Sequence, residues 1–521
     1  MSHNRVRISR RRVTAVLGWA VASALPLSGC GGGSTSTSEP PAGGSGSASA
    51  QTLRVAIPDD ISSLDPAKAF DTWSTAVVHA MTRRLVDYDV DAKIVPDLAE
   101  KWEQSADGKT VTFHLRSDAK FADGTPIDAK HFKAAIERVQ DPATASPGAS
   151  FYTGITKLEA PDAKTLVIHL KAVDPTLLNL MGMTFAAPIQ PGQDPAHPAA
   201  SGPYMLDEYR PGSSVRLKRN PNDPHAAGMV EQIDLQLSIA QPLQLTRFRS
   251  GEVDLLPGIP PAEYARVMRD PKEKQQVVQG VVNQTWYFGV NVTRAPWNNP
   301  KVRKAALLAL NRDTHVQFAG AGQAANAILP PHVPAYDAQR QLPAQNVAEA
   351  KKLLAEAGFP NGIPDSQKTV LWLANSEQYQ RHAQAIQSDL RAAGIPVDLR
   401  PVTFSEYRTG YRTKADCWYG GWYPDFPDAG NFLEPVFTPG SGSNAAHYAN
   451  PKVAGLLTRA HSLKEGPERQ QLYHQIEDQL LEDLPWIPLY FEVETRYFRP
   501  GVTGVTVHPV WRQMLTGIRK G

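Results

Sequence analysis

The chain has 521 residues, of which 41% are hydrophobic and 20% are charged, a composition typical of globular proteins. Its 54 basic and 52 acidic side chains give a formal net charge of +2, so neither a global positive excess nor a basic stripe interleaved with aromatic residues favours nucleic-acid binding. Its two cysteines are too few for a cysteine-based zinc site. The length predicts about two to four folding units.

The first thirty residues have the pattern of an export signal. A basic cluster at residues 5–12 precedes an apolar run of fifteen residues, 13–27. This run is shorter than the ~20 residues that cross a bilayer, and its basic flank and small residues are typical of a secretory signal. The run ends in Leu-Ser-Gly-Cys, which resembles a bacterial lipobox whose acylated cysteine begins the mature chain. We predict a lipoprotein signal peptide over residues 1–30 with lipidation at Cys30; a plain signal peptide with a chance cysteine is the alternative.

A stretch rich in Gly, Ser and Pro follows at residues 31–50 and predicts a flexible tether. If Cys30 carries lipid, Cys417 has no partner for an intramolecular disulfide, and the fold must rest on its hydrophobic core. Residues 9–13 weakly resemble a twin-arginine signal, so the export route stays open between the general secretory and twin-arginine pathways.

Short strands and two helices are predicted in the first part of the mature chain. Alternating apolar and polar side chains predict strands at residues 53–58, 109–115 and 165–170. Apolar residues recur at helical spacing over 75–85. Asp128 is placed to cap a further helix over residues 129–139.

Strands and helices continue to alternate along the rest of the chain. Residues 201–220 predict two strands about a Pro-Gly turn. The other predicted elements are a helix and strand at 244–256, a strand at 285–292, helices at 300–313 and 347–358, a helix and strand at 376–402, a helix at 467–484 and a strand at 485–491. This alternation predicts an α/β fold. Residues 320–325 resemble a glycine-rich nucleotide fingerprint, but no strand leads into them, so we predict a loop there.

Five sequence blocks resemble those of the extracellular solute-binding proteins of family 5, the binding subunits of peptide, dipeptide and nickel ATP-binding-cassette importers. They keep the family's order and extend over nearly the whole mature chain. The blocks are SLDPA at 63–67, the segment 95–139, SGPY at 201–204, the segment 288–313, and GWYPDFPDAGNFL at 421–433 with NAAHYANPKV at 444–453.

This resemblance implies a two-lobed periplasmic-binding-protein fold of the large type II architecture, with an extra β-rich subdomain. The implied divisions are lobe I at 51–90, 196–282 and 488–521, the β-rich subdomain at 91–195, and lobe II at 283–487. Members of the family close two lobes over a ligand about a hinge, so binding shifts the population toward the closed form.

The resemblance also implies a ligand site around Asp425. In peptide-binding members, the acid at this position meets the α-ammonium of the ligand. A carboxylate among apolar rings is costly when unpaired, but a ligand cation there makes a strong charge-assisted hydrogen bond. Trp422 and Tyr423 would line the pocket and offer apolar burial and cation–π contact. The alternative is that Asp425 merely caps a turn in a proline-rich loop.

A second wall of the site is implied by the residues that follow the SLDPA turn: Phe70, Asp71, Thr72 and Trp73. Peptide members often hold the ligand main chain as an added strand. We also include Tyr419, which stands where some oligopeptide-binding members carry an arginine for the ligand carboxylate. The cation that replaces this arginine is left open among Arg381, His382, Arg408 and Arg412.

The expected function is that of a lipid-anchored substrate-binding subunit, not an enzyme, that captures di- or oligopeptides or related solutes. No GxSxG elbow, metal motif or phosphate loop is found in the sequence, and we expect no cofactor and no metal. Asp425 and Asp428 could suggest a hydrolytic carboxylate pair, but Pro427 between them favours a turn.

The expected partners are an importer permease and ATPase and a membrane reached through the lipid anchor. We expect no nucleic acid, a monomeric state, and a location in the cell envelope facing the periplasm or the exterior. The alternatives are a ligand-sensing receptor of the same fold, or a binder of a nickel chelate or an oligosaccharide.

Overall fold

The computed structural model describes residues 51–521. The predicted signal peptide, the lipidation site Cys30 and the tether lie outside the described residues. Within the described part of the chain, no helix combines the length and apolar character that a membrane span requires.

The strands of the described chain, in order, are β1 Thr52–Ala56, β2 Val86–Tyr88, β3 Ile94–Pro96, β4 Ala99–Gln104, β5 Thr110–Leu115, β6 Ile155–Asp162, β7 Thr165–Leu170, β8 Tyr204–Arg210, β9 Ser214–Arg219, β10 Gln232–Gln236, β11 Leu255–Leu256, β12 Val277–Val290, β13 Gly322–Ala324, β14 Thr369–Ala374, β15 Val397–Val402, β16 Cys417–Trp422, β17 Trp486–Phe498, β18 Val502–Thr503, β19 Val507–His508, β20 Arg512–Gln513 and β21 Arg519–Lys520.

The α-helices, in order, are α1 Thr72–Met81, α2 Ala129–Gln140, α3 Leu177–Gly182, α4 Gln241–Ser250, α5 Pro261–Arg269, α6 Pro271–Lys274, α7 Pro300–Ala309, α8 Arg312–Ala319, α9 Val347–Glu356, α10 Glu377–Ala393, α11 Phe404–Gly410, α12 Ala429–Phe437, α13 Pro451–His461 and α14 Pro467–Asp483.

An 11-stranded mixed sheet forms the centre of the fold. Its order is β15-β14-β16-β12-β17-β11-β1-β10-β9-β8, and β13 pairs with β17 outside this path. Strands from the first half of the chain therefore lie on one side of the β12–β17 pair, and strands from residues 369–422 lie on the other. Helices cover the sheet, so mixed α/β architecture is confirmed.

The two longest strands, β12 and β17, pair antiparallel over most of their length. The register of this pair shifts between Val281 and Thr285 and again between Trp286 and Tyr287. Such irregularities bend a strand and increase its local twist. The two parts of the sheet are thus joined through strands that bend near residues 281–287.

A separate antiparallel sheet of order β4-β5-β7-β6 packs with α2 in the block of residues 67–186. The alternating pattern of β5, TVTFHL, buries Val111, Phe113 and Leu115 and leaves the intervening side chains half-buried. The opposite faces of successive strand residues explain this periodicity. The Asp128 side chain caps α2 in a capping box with His131, as the sequence predicts.

Two local predictions are corrected. The predicted helix at 300–313 is two helices, because the side chain of Asn311 accepts hydrogen bonds from the amides of Asp313 and Thr314 and starts α8. The predicted loop at 320–325 contains the short strand β13, which pairs with Glu492, Phe491 and Tyr490 of β17. A three-residue edge strand is too short to show a periodicity in the sequence.

Candidate functional site

A cavity of about 710 Å³ lies within the described residues. Its lining comes from five separated parts of the chain: Asp59, Asp60, Ser62, Lys68, Ala69, Phe70, Asp71, Thr72, Trp73, Thr75 and Tyr88; Met183, Thr184 and Phe185; Val282 and Asn283; Arg408, Tyr423, Pro424, Asp425, Phe426 and Pro427; and Pro509, Val510, Trp511 and Arg512. Its volume is within the range of small-molecule sites, about 300–1,000 Å³.

Asp425 faces this cavity from the loop between β16 and α12. Its amide donates to Oδ1 of Asn431 at 2.7 Å, and Nδ2 of Asn431 donates to Oδ2 of Asp425 at 3.3 Å. The neighbouring Pro424 and Pro427 restrict the backbone on both sides. The sequence thus fixes the position of this acid with one amide side chain and two prolines.

The electrostatic state of Asp425 is unusual for an exposed acid. Within residues 51–521, no cationic side chain pairs with its carboxylate. The side chain is exposed, but the walls of the concavity displace much of its surrounding water. This desolvation raises the pKa of Asp425, and the hydrogen bond from Asn431 only partly offsets it. The carboxylate therefore gains most from a cation that enters the cavity.

Asp428, three residues later, has the opposite surroundings. Its carboxylate accepts from both terminal nitrogens of Arg469, at 2.6 and 3.1 Å, and both side chains are 2% exposed. Its Oδ1 also accepts from the amide of Asn431 and caps α12. Asp428 is a structural residue and does not line the cavity.

Large aromatic side chains line the cavity, both from the segment around residue 70 and from the Asp425 loop. Tyr423 is 58% exposed and Phe70 is 46% exposed, although rings of this size are usually buried. Trp73 is 5% exposed and belongs both to a core cluster and to the cavity lining. Such exposed rings in a concave surface favour a ligand with apolar parts.

The start of α1 supplies Asp71 and Thr72 to the cavity lining. Asp71 is the N-cap of this helix, where it accepts from the amides of Trp73 and Ser74, and Ser62 also donates to it. Burial opposes the ionisation of Asp71, but these hydrogen bonds outweigh it and lower its pKa. Its carboxylate is largely satisfied by the protein, unlike that of Asp425.

The structure places Tyr419 and Trp422 outside the cavity lining, and their part in ligand binding stays a prediction. Tyr419 lies in the central strand β16 and is fully buried, and its hydroxyl is 3.1 Å from that of Tyr490. The Trp422 indole donates to the carbonyl of Phe432 at 2.9 Å. Tyr419 pairs with Phe288 of β12 and packs in a hydrophobic core, so its closeness to Asp425 in sequence does not bring it to the cavity.

Of the four cations left open for a ligand carboxylate, the structure brings Arg408 to the cavity. Arg381 forms an ion pair with Glu377 at 2.5 Å. His382 is fully buried, and its Nδ1 lies 2.9 Å from that of His315. Arg412 donates to the Tyr411 hydroxyl at 3.2 Å. Within residues 51–521, no ion pair or hydrogen bond occupies the exposed Arg408 guanidinium.

Two other cations, Lys68 and Arg512, also line the cavity. Arg512 is held by Glu494 at 2.6 Å and by Gln284 at 3.2 Å. Burial opposes the ionisation of Glu494, but Arg512 and Arg496 lower its pKa to about 2. Arg512 is therefore committed to the protein, whereas Lys68 is exposed.

A model of the bacterial extracellular solute-binding proteins, family 5 (middle region), matches residues 93–444. The chain belongs to this family. The match covers the second lining segment and the Asp425 loop, and it includes Arg408. The family is defined by the binding of a solute, and its members are extracellular or periplasmic.

Relatives and solved structures of family 5 proteins agree with this assignment. The chain is 30% identical over 485 residues to the glutathione-binding protein GsiB of Escherichia coli O1:K1 / APEC, covering 88% of this chain and 93% of that protein. It resembles the unliganded open form of the periplasmic murein tripeptide binding protein MppA, with TM-score 0.79, 25% identity and coverage of 90% and 97%. It also resembles Haemophilus influenzae OppA in complex with RPPGFSPFR, with TM-score 0.69, 25% identity and coverage of 90% and 99%.

Several cavity residues of this family 5 protein have no signal in the sequence that marks them as site residues. Trp511 and Arg512 come from the C-terminal segment, and Phe185 comes from a short turn of helix. Asp59, which lies three residues after the end of β1, also lines the cavity. Burial, and the charge of Asp71, raise the pKa of Asp59. Only its place at a strand end could have indicated it.

Proposed function

We propose that this chain is the substrate-binding subunit of an ATP-binding-cassette importer that captures short peptides or related small zwitterionic solutes. The observation that carries the proposal is the unpaired Asp425 carboxylate, which faces a cavity lined by exposed aromatic rings and has a raised pKa. A ligand ammonium there would form a charge-assisted hydrogen bond in a partly desolvated site, where such bonds are stronger than in water.

Arg408 supplies the opposite charge that a zwitterionic ligand needs. Its guanidinium is exposed and lines the same cavity. A guanidinium binds a carboxylate in a bidentate manner, so we assign the ligand carboxylate to Arg408. Lys68 is the alternative cation, since it also lines the cavity.

The relatives favour this class of ligand. Glutathione, the murein tripeptide and the peptide RPPGFSPFR are named for GsiB, MppA and OppA, respectively. Each of these is a peptide or peptide-like molecule that carries an amine and a carboxylate. The exposed rings of Phe70 and Tyr423 would contact its apolar parts.

Closure about a hinge is the proposed mode of capture. We assign lobe I to residues 51–90, 196–282 and 488–521, the β-rich subdomain to 91–195, and lobe II to 283–487. The register shifts of β12 near residues 281–287 fall at the proposed boundary and support a bend there. The Asp425 loop and the residues around Phe70 line one cavity in the structure, so both would contact the same ligand in the closed form.

The cellular setting is also a proposal. A monomer anchored through lipid at Cys30, with the tether at 31–50, would carry its ligand to a permease and ATPase at the membrane. Replacing Cys30 by Ser should move the protein from the membrane pellet to the soluble envelope fraction. A Cys30→Ser variant that still sediments with membranes would remove the lipobox from the proposal.

Titration calorimetry with four probes tests the ligand class. We expect tri-alanine and glutathione to bind, and N-acetyl-tri-alanine, which lacks the ammonium, to bind at least about tenfold more weakly than tri-alanine. Tri-alanine amide, which lacks the carboxylate, tests whether the C-terminal carboxylate of the ligand contributes to binding. Equal affinity for tri-alanine and its acetylated form would overturn the role of the ammonium. Mass spectrometry of compounds that co-purify with the protein identifies the natural ligand.

A further inference from the structure

Phe426, the residue directly after Asp425, lies in a core to which no other part of its own loop contributes. It is 4% exposed, and every other buried member of its hydrophobic cluster comes from residues 67–186. The chain on either side of it belongs to the region of β16 and α12. One side chain of the Asp425 loop is thus inserted into a different block of the protein.

The site that receives Phe426 is aromatic. The ring of Phe426 meets that of Phe151 edge-on, with centroids 5.9 Å apart and an interplanar angle of 75°. Phe151 in turn lies 6.4 Å from Phe70, and Phe70 lies 5.7 Å from Phe185. The edge-to-face contact between Phe426 and Phe151 is favourable beyond the burial of the two rings. We call Phe70, Phe151 and Phe185 the aromatic socket.

The loop that carries Phe426 is fixed to its own region at both ends. Trp422 donates to the carbonyl of Phe432 at 2.9 Å, and the buried Asp428–Arg469 pair holds the start of α12. The amide of Asp428 donates to the carbonyl of Phe426 at 2.8 Å. The loop is therefore anchored to the region of β16 and α12, and the Phe426 side chain connects it to the aromatic socket.

We propose that Phe426 is a positioning residue for ligand binding: its insertion into the aromatic socket holds the Asp425 loop against residues 67–186 and sets the fraction of molecules competent to bind. This inference rests on the proposed function, because it assigns ligand binding to Asp425. When only a fraction of the molecules is competent, the apparent Kd rises in inverse proportion to that fraction. Loss of the insertion therefore weakens binding even where no ligand contact is lost.

A double-mutant cycle in the full chain separates this role from direct contact with the ligand. Phe426 lines the cavity, whereas Phe151 does not. We expect Phe426→Ala and Phe151→Ala each to raise the Kd for tri-alanine about tenfold, or ~1.4 kcal/mol, and the double variant to raise it no further than the larger single effect. Phe404→Ala, which removes an exposed ring of the preceding helix, should leave the Kd unchanged.

The outcomes that overturn the proposal are defined by the same cycle. An unchanged Kd in Phe151→Ala, or additive effects in the double variant, would mean that Phe426 acts through the ligand and not through the socket. Phe426→Leu retains apolar bulk and should recover most of the affinity; no recovery at an unchanged melting temperature also contradicts the proposal. If the alanine variants do not fold, the leucine variants at both positions replace them in the cycle, with a smaller expected effect of about threefold.

A measurement without ligand distinguishes failure of this inference from failure of the proposed function. Small-angle X-ray scattering of the ligand-free protein should give a larger radius of gyration for Phe426→Ala and Phe151→Ala than for the wild type. If no probe binds the wild type, the proposed function fails, and the scattering result still decides the inference: an unchanged radius rejects it.

Discussion

Asp425 and Asp428 lie three residues apart in one loop, yet they have opposite surroundings. Asp428 is buried, paired with Arg469 and engaged in capping α12. Asp425 is exposed to the cavity, has no cationic partner within residues 51–521, and has a raised pKa. Asn431 contacts both acids, since its side chain is hydrogen-bonded to Asp425 and its backbone N–H donates to the Asp428 carboxylate.

This difference shows what decides whether a carboxylate stabilises the fold or is available to bind a ligand. A buried acid that has both a cation and a cap position contributes to the fold, and its removal leaves a buried charge unpaired. An acid that keeps its hydrogen-bonding capacity free in a concavity costs some stability but is ready for a ligand cation. The same chemical group therefore serves two purposes according to the position of one arginine.

The largest expected effect is on stability. Asp428→Asn keeps the cap but removes the buried partner of Arg469 and leaves its guanidinium only the more exposed carboxylate of Glu465, at 2.6 Å. We expect the free energy of unfolding to fall by about 3 kcal/mol. Urea denaturation of the full chain measures this. Asp425→Asn serves as the matched control and should unfold at nearly the wild-type urea concentration. Equal stability of the two variants would contradict the structural role that we assign to Asp428.

The second prediction concerns ligand affinity, for which we expect Asp425 and not Asp428 to be important. Asp425→Asn should raise the Kd for tri-alanine by about 10–100-fold, because charge-assisted hydrogen bonds contribute about 1.5–3 kcal/mol, and it should leave the melting temperature nearly unchanged. Asp398→Asn removes an acid that pairs with Lys368 outside the cavity and is the control. Wild-type affinity in Asp425→Asn, measured by calorimetry, removes this residue from the site.

The third prediction concerns pH. Desolvation raises the pKa of Asp425 in the free protein, whereas a bound ammonium favours the charged carboxylate. The Kd for tri-alanine should therefore rise as the pH falls through this raised pKa, which lies above the usual value of an aspartate carboxyl. Free-protein stability has the opposite sign: since the folded-state pKa lies above the unfolded value, this group favours folding as the pH falls.

A pH titration by calorimetry checks this expectation, with Asp425→Asn as the control. The variant cannot take up the proton, so its Kd should lack the part of the pH dependence that Asp425 causes. If wild type and variant show the same pH dependence, another group controls binding.

The smallest expected effect extends the comparison to cations. Arg408 faces the cavity without a partner in the described chain, whereas Arg412 contacts Tyr411. Arg408→Ala should raise the Kd for tri-alanine about three- to tenfold, because an exposed ion pair is weakened by solvent, and should not change the Kd for tri-alanine amide. Arg412→Ala should change neither. A loss confined to Lys68→Ala would transfer the carboxylate to Lys68.

The elements with a clear periodicity were predictable from the sequence. The alternating runs at 109–115 and 165–170 correspond to β5 and β7, and the capped helix predicted from residue 129 corresponds to α2. Side-chain alternation and capping depend on neighbours within a few residues. The break between α7 and α8 was not predicted, because a single polar residue, Asn311, hardly disturbs the helical pattern of the sequence.

The site was only partly predictable for a different reason. Phe70, Asp71, Thr72, Trp73, Tyr423 and Asp425 line the cavity, and their part in ligand binding stays a prediction. Tyr419 and Trp422 lie outside the cavity lining, because proximity in sequence does not set the direction in which a side chain points.

The sequence by itself determined the family, the α/β class and the loop that carries the acid, since these depend on local patterns and on the order of blocks along the chain. Tertiary structure alone decided that Arg469 pairs with Asp428 and leaves Asp425 free. It also decided that Phe426 enters the core of residues 67–186 and that Trp511 joins the cavity. Contacts between residues tens to hundreds of positions apart depend on how the sheet brings the segments together, and no local pattern contains that information.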